Sequence, residues 1–142
     1  MTTAELYQAL IIEHDRAPRN HGPLAGATHA STVDNPLCGD TVTVRVIREG
    51  DTITAIAFEG RGCALSRAAA SLMTERVRGQ SVDTIVELVA RFEQFVQEPI
   101  DAGIPDELGE LAVFRGVRAF RSRRACATLP FRALVAALEL AR

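Results

Sequence analysis

Two short segments of alternating apolar and polar residues most constrain the fold of this chain. In Thr41–Arg48 valines recur at every second position, and Thr52–Glu59 alternates in a similar way around Ile56 and Phe58. Successive residues of a β-strand point to opposite faces, so each segment is expected to be a strand with one buried face. Because only Glu49-Gly50-Asp51 separates them, the two strands are predicted to form an antiparallel hairpin.

Helical patterns flank this hairpin on both sides. Residues of high helix propensity, capping residues and apolar side chains at helical spacing recur along the rest of the chain. These features predict helices at Thr3–His14, at Ala64–Arg78, between Ser81 and Pro99, at Leu108–Val117 and around Leu134–Leu140, the last with Pro130 in its first turn.

A sheet with one apolar face and helices with one apolar stripe can bury both surfaces by packing together. The expected class is therefore α+β, with a small three-stranded antiparallel sheet and helices packed on one face. A chain of 142 residues is long enough to bury a substantial core and lies in the usual range for one domain. We therefore expect residues 1–142 to form a single domain.

Composition and charge argue against several classes of partner. The formal net charge is -2 at pH 7, and no apolar run approaches the length of a membrane span. We therefore expect neither nucleic acid nor a membrane as a partner. Met1–Gln8 has no basic start, and three cysteines are an odd number for a secreted disulfide framework. A cytoplasmic location with reduced thiols is expected.

The three cysteines all fall where predicted elements begin. Cys38 lies in a tight loop before a strand, Cys63 ends a glycine-rich loop before a helix, and Cys126 is expected immediately before the C-terminal helix. A lone cysteine is commonly a small buried apolar residue. Three thiols in loops that can converge instead favour a metal site, and a helix N-terminus favours the thiolate that binds metals.

Asp40 is the candidate for a fourth ligand. Three thiolates leave one position of a tetrahedral site open, and Asp40 follows Cys38 across the flexible Gly39. The alternative is that Asp40 only shapes the turn, which is a common role of aspartate.

Four groups of residues carry a resemblance to a known family. They are the opening segment Leu6–His14 with Pro18–Asn20 and Gly22, then Asn35–Asp40, Phe58–Ser66 and Arg123–Leu129. With these motifs the chain resembles the U-type iron–sulfur cluster assembly scaffolds, the family of SufU, IscU and the N-terminal domain of NifU.

Two departures indicate the SufU branch. Ala125 stands where IscU scaffolds have a histidine, and the gap from Cys63 to Cys126 is longer than in IscU-like proteins. Arg121 and Phe131 stand where proline and tryptophan are common in SufU-like proteins.

The resemblance implies a ligand set and partners. SufU-like proteins hold zinc through three cysteines and an aspartate. They accept persulfide sulfur from a SufS-type cysteine desulfurase, and the sulfur then passes to a SufBCD-type scaffold or an apo-protein. The matching residues are Cys38, Asp40, Cys63 and Cys126. The alternative occupant is a transient [2Fe–2S] cluster on the same thiolates.

Cys38 and Arg123 are the expected catalytic residues. Zinc lowers the nucleophilicity of a bound thiolate, so one cysteine must be released before it attacks a persulfide. We expect Cys38, between Pro36 and Gly39, to be that acceptor, with Cys126 as the alternative. Arg123 matches an arginine typical of SufU-like proteins and would stabilise thiolate or persulfide charge. Its alternative role is a solvated member of a basic run.

Three functions remain open at the level of sequence: a zinc-dependent sulfurtransferase, a [2Fe–2S] scaffold and a purely structural zinc module. The basic run itself is expected to be solvated or to dock an acidic protein partner, and it comprises Arg118, Arg121, Arg123 and Arg124. The histidines are expected at the surface or as capping residues, and they are His14, His21 and His29.

Overall fold

The computed structural model of the chain describes residues 2–36 and 39–139. The secondary-structure elements follow in the order α1 (Thr3–Arg16), β1 (His29–Asn35), β2 (Asp40–Glu49), β3 (Thr52–Arg61), α2 (Ala64–Val77), α3 (Val82–Gln97), a 3₁₀ segment (Asp106–Ala119) and α4 (Arg121–Glu139). Within the described residues, no helix has the length and apolar character that a membrane crossing requires.

The sheet is antiparallel, with strand order β1-β2-β3. The predicted hairpin is confirmed, because β2 and β3 pair across Gly50, with Val44 opposite Phe58 and Val46 opposite Ile56. These four apolar side chains are buried, as the alternation predicted. The remaining strand, β1, pairs with β2 on the other side.

All the helices lie on one face of this sheet, which confirms the predicted α+β class. Helix α4 packs across β1 and β2, α2 packs against β3 and α4, and α1 lies on α2. Phe131, the residue that stands in place of tryptophan, is fully buried and stacks on Phe92 with ring centroids 4.3 Å apart. Aromatic stacking of this kind joins α3 to α4 within the core.

The capping residues act as the sequence predicted. The Thr2 hydroxyl accepts a hydrogen bond from the backbone N–H of Glu5 at 3.1 Å, and the Ser81 hydroxyl accepts one from Thr84 at 3.2 Å. Each bond satisfies an N–H group that has no partner inside its own helix. Helices α1, α2 and α3 are therefore confirmed to within a few residues of the predicted ends.

Two predictions about the C-terminal third were wrong. The predicted helix Leu108–Val117 is a run of 3₁₀ turns, interrupted at Gly109, whose φ of 54° and ψ of -128° are not helical. The final helix begins at Arg121, so Pro130 lies well inside it and not in its first turn. Leu140, assigned to this helix from its apolar spacing, lies outside the described residues.

Arg118 is buried, which contradicts the expectation that the whole basic run is solvated. Its guanidinium donates three hydrogen bonds, to the carbonyl oxygens of Phe95 at 2.7 Å, Ala102 at 2.8 Å and Gly103 at 3.0 Å. It also lies 4.5 Å from the centroid of the Phe95 ring. Arg118 thus fixes the connection that follows α3, and only a shorter basic segment remains at the start of α4.

His14 is buried as well, contrary to the surface position that we expected. Its Nδ1 lies within hydrogen-bond distance, 2.6 Å, of the Ser71 hydroxyl oxygen. That oxygen accepts a hydrogen bond from the backbone N–H of Arg19 at 2.8 Å. On the other side of the ring, Nε2 lies 3.7 Å from a carboxylate oxygen of Glu75. This network joins α1 to α2 through the buried imidazole.

The His14 network predicts a loss of stability in mild acid. Burial first, and then the nearby Arg19 guanidinium, lower the pKa of His14, against the opposing effect of Glu75, Glu13 and Glu110. Because the folded pKa lies below the unfolded value, the stabilisation is fully present above pH about 6.5 and is lost as the pH falls through the folded pKa. Urea unfolding from pH 7.5 to 5 should show a steeper loss for the wild type than for His14→Gln.

His29→Gln is the matched control. His29 lies on β1 and is partly exposed, and the hydrogen bond of its ring is to the hydroxyl of the neighbouring Thr28. This variant should follow the wild-type profile. Identical pH profiles for the wild type and His14→Gln would contradict the neutral, buried assignment.

Candidate metal centre

Three of the four predicted ligands come together at one end of the sheet. The thiol sulfurs of Cys63 and Cys126 and a carboxylate oxygen of Asp40 all lie within 4.8 Å of one another. The fourth predicted ligand, Cys38, lies outside the described residues. It falls in the four-residue connection between β1 and β2, two positions before Asp40.

Asp40 is the first residue of β2 and only 7% exposed. The backbone fixes it, because it pairs with Asn35 of β1 and the Gly39 N–H donates to the Asn35 carbonyl oxygen at 2.8 Å. Its Oδ2 atom is buried and has no hydrogen-bond partner among the described residues. A buried carboxylate oxygen without a donor is costly, whereas a bound cation would satisfy it. The site therefore fits a metal ion.

Cys63 is the N-cap residue of α2, as the sequence predicted, and its thiol is at the exposed side of the cluster. Two glycines before it allow the end of β3 to approach β2. At Gly60, with φ of 153°, a Cβ atom would lie 2.0 Å from the carbonyl oxygen of Thr41. At Gly62 a Cβ atom would lie 3.0 Å from the Cβ of Ser66 and 3.6 Å from the Cγ of Asp40. Only glycine fits both positions without displacement of the site.

Cys126 is not placed as the sequence predicted. It is the sixth residue of α4 and is buried, whereas we expected it in a loop immediately before the helix. The prediction treated Pro130 as a first-turn residue and so placed the start of the helix too late. The thiol of Cys126 thus lacks the helix N-terminus that Cys63 has, and it is held by the packing of α4.

Two arginines, Arg123 and Arg124, precede Cys126 on α4. Arg123 is exposed, and its guanidinium lies 4.9 Å from the centroid of the exposed Phe120 ring. It precedes Cys126 by three positions, so the two share one side of the helix. Arg124 has a buried Nε with no hydrogen-bond partner among the described residues.

The sequence comparisons agree with this architecture. The model of the family described as NifU-like N terminal domain matches residues 6–127. The chain is 37% identical over 134 residues to the iron–sulfur cluster assembly scaffold protein IscU of Streptococcus pyogenes, with 94% of this chain and 83% of that protein aligned. It is 35% identical over 130 residues to the zinc-dependent sulfurtransferase SufU of Bacillus subtilis, with 91% and 86% aligned.

A solved structure shows the same fold. It is a crystal structure of a proposed iron–sulfur cluster assembly scaffold protein for the SUF system from Fervidobacterium islandicum AW-1. The two structures superpose with a TM-score of 0.84 at 27% sequence identity, over 96% of this chain and 99% of that one. On the family match, the two relatives and the shared fold, this chain belongs to the NifU-like N-terminal domain family.

Proposed function

We propose that this protein is a zinc-dependent sulfur-transfer protein of iron–sulfur cluster assembly that accepts persulfide sulfur from a SufS-type cysteine desulfurase. The observation that carries the proposal is the buried Oδ2 of Asp40, which has no hydrogen-bond partner within residues 2–36 and 39–139 and lies beside two cysteine thiols. We assign the ligands as Cys38, Asp40, Cys63 and Cys126. The donated sulfur would then pass to a SufBCD-type scaffold or an apo-protein.

The donor set supports zinc. Thiolates with one carboxylate suit a tetrahedral zinc site, and Ala125 provides no imidazole beside Cys126. Bound zinc would keep the cysteines as thiolates at neutral pH without redox chemistry of its own. The relative from Bacillus subtilis is named a zinc-dependent sulfurtransferase, which agrees with this choice.

The transfer itself is a thiol–persulfide exchange. The acceptor thiolate attacks the outer sulfur of the protonated donor persulfide, a new S–S bond forms, and the donor cysteine leaves as a thiolate. No net oxidation or reduction occurs.

We assign Cys38 as the acceptor, because it lies in the connection between β1 and β2, whereas Cys63 caps α2 and Cys126 lies within α4. Arg123 is the residue that we assign to stabilise the charge on the thiolate or persulfide.

Replacement of Asp40 tests the ligand set. Asp40→Asn keeps the size of the side chain but removes the charge, so the zinc affinity should fall by about tenfold or more. The measurement is competition against a chromophoric chelator, followed by desulfurase-dependent sulfur transfer at saturating zinc. The matched control is Asp34→Asn, because Asp34 is an exposed carboxylate whose Oδ1 accepts a hydrogen bond from the Thr41 hydroxyl at 2.8 Å. Equal zinc affinity for Asp40→Asn and the wild type would remove Asp40 from the ligand set.

Replacement of Cys38 tests the acceptor. With a cysteine desulfurase and free cysteine, the wild type should gain the mass of one sulfur on the peptide that contains Cys38, and Cys38→Ser should gain none. Cys63→Ser is the matched control, because it also deletes one proposed thiolate ligand but keeps the proposed acceptor. Both variants are loaded with zinc and checked by circular dichroism before transfer is measured. Extra sulfur on Cys126, with Cys38 unmodified in the wild type, would refute the assignment.

A second function has support from a different comparison. The Streptococcus pyogenes relative is named a cluster assembly scaffold, and the same thiolates are suitable ligands for a [2Fe–2S] cluster. Analysis of metal and acid-labile sulfide after purification under reducing conditions distinguishes the two functions. About one zinc per chain supports sulfur transfer or a structural zinc module, which the transfer assay separates, whereas iron with an equal amount of sulfide supports the scaffold.

A further inference from the structure

We propose that Ser66 is a positioning residue of the metal centre, whose hydroxyl replaces the backbone N–H that Pro130 lacks and so holds Cys126 in place. The inference rests on the proposed function, because it takes Asp40, Cys63 and Cys126 as metal ligands. It adds a residue that is not a ligand and that is absent from the ligand set predicted from the sequence.

Pro130 is the tenth residue of α4 and lies inside the helix. In an α-helix each N–H donates to the carbonyl oxygen four residues earlier, and proline has no N–H. The carbonyl oxygen that loses this intrahelical donor is that of Cys126. Cys126 is 7% exposed, so its carbonyl group requires another donor within the protein.

A side chain of α2 supplies the hydrogen-bond donor that replaces the missing N–H of Pro130. The Ser66 hydroxyl donates to the Cys126 carbonyl oxygen at 3.1 Å, across the interface between α2 and α4. Ser66 is 1% exposed, and it is the third residue of the helix that Cys63 caps. One buried hydrogen bond therefore joins the backbone of one proposed ligand to the helix turn that begins at another.

Ser66 is also close to Asp40, the remaining described ligand residue. A Cβ atom at Gly62 would lie 3.0 Å from the Cβ of Ser66, 3.4 Å from its hydroxyl oxygen and 3.6 Å from the Cγ of Asp40. The Ser66 and Asp40 side chains therefore both lie directly beside the same glycine. Ser66 lies among all three described ligand residues, and a shift of its hydroxyl would alter their spacing.

The experiment is a double-mutant cycle on metal binding. Ser66→Ala removes the donor, and Pro130→Ala restores an N–H that can donate to the same carbonyl oxygen. Zinc affinity is measured by chelator competition, and the ligand geometry is monitored through the thiolate charge-transfer and d–d absorption bands of the Co²⁺ form. Loss of a group that orients a metal ligand commonly lowers metal affinity by about 10–100-fold.

Ser66→Ala should therefore lower the zinc affinity by at least about tenfold and alter the absorption spectrum of the Co²⁺ form. In the Pro130→Ala background the same substitution should change the affinity by less than about threefold, because the helix supplies the missing donor. The matched control is Ser71→Ala, which removes another fully buried hydroxyl of α2, one bonded to His14 and Arg19. It should lower the melting temperature and leave zinc affinity and the Co²⁺ spectrum unchanged.

An equal loss of affinity for Ser66→Ala in both backgrounds, or no loss in either, would refute the positioning role and leave the proposed function intact. Absence of tight zinc binding by the wild type would refute the proposed function and this inference together. If Ser66→Ala alone does not fold, Pro130→Ala and the double variant carry the test. A tenfold difference in zinc affinity between those two would refute the inference.

Discussion

The burial of the Asp40 carboxylate is the constraint on which the organisation of the site depends. A buried carboxylate oxygen without a donor is unfavourable, because it has lost its hydration and gained no hydrogen bond. The backbone of Asp40 is held in place, because this residue begins β2 and pairs with Asn35 in the sheet. The fold thus places a carboxylate oxygen that has no hydrogen-bond partner in the described part of the chain beside two thiols. A divalent cation would satisfy all three groups.

The surrounding fold keeps this arrangement in place. The start of β2 pairs with the end of β3, and the missing Cβ of Gly60 allows this close approach. The missing Cβ of Gly62 likewise leaves room for Ser66 of α2. Helix α2 then begins directly after its N-cap residue Cys63, and α4 crosses the sheet with Cys126 buried within it. Stability and metal binding are coupled in such a site, because the ligands are brought together only in the folded chain.

The sequence predicted the parts of the fold that have strong local signals. Alternating valines identified the hairpin, and Ser81 identified the start of α3. Strand β1 carries no such pattern, since only Val33 among its residues is a large aliphatic one, and it is formed by pairing with β2. Long-range contacts also decided the positions that were predicted wrongly. Pro130 is tolerated inside α4 because Ser66 donates from another helix, and His14 is buried because Ser71 supplies its partner.

Zinc K-edge X-ray absorption of the purified protein tests whether Cys38, Asp40, Cys63 and Cys126 together hold zinc. It reports the number and type of atoms bound to the metal without any substitution. Binding by these four residues predicts one zinc per chain with three sulfur ligands at about 2.3 Å and one oxygen ligand at about 2.0–2.2 Å. Zinc bound only by nitrogen and oxygen, or the absence of a zinc edge, would contradict this assignment.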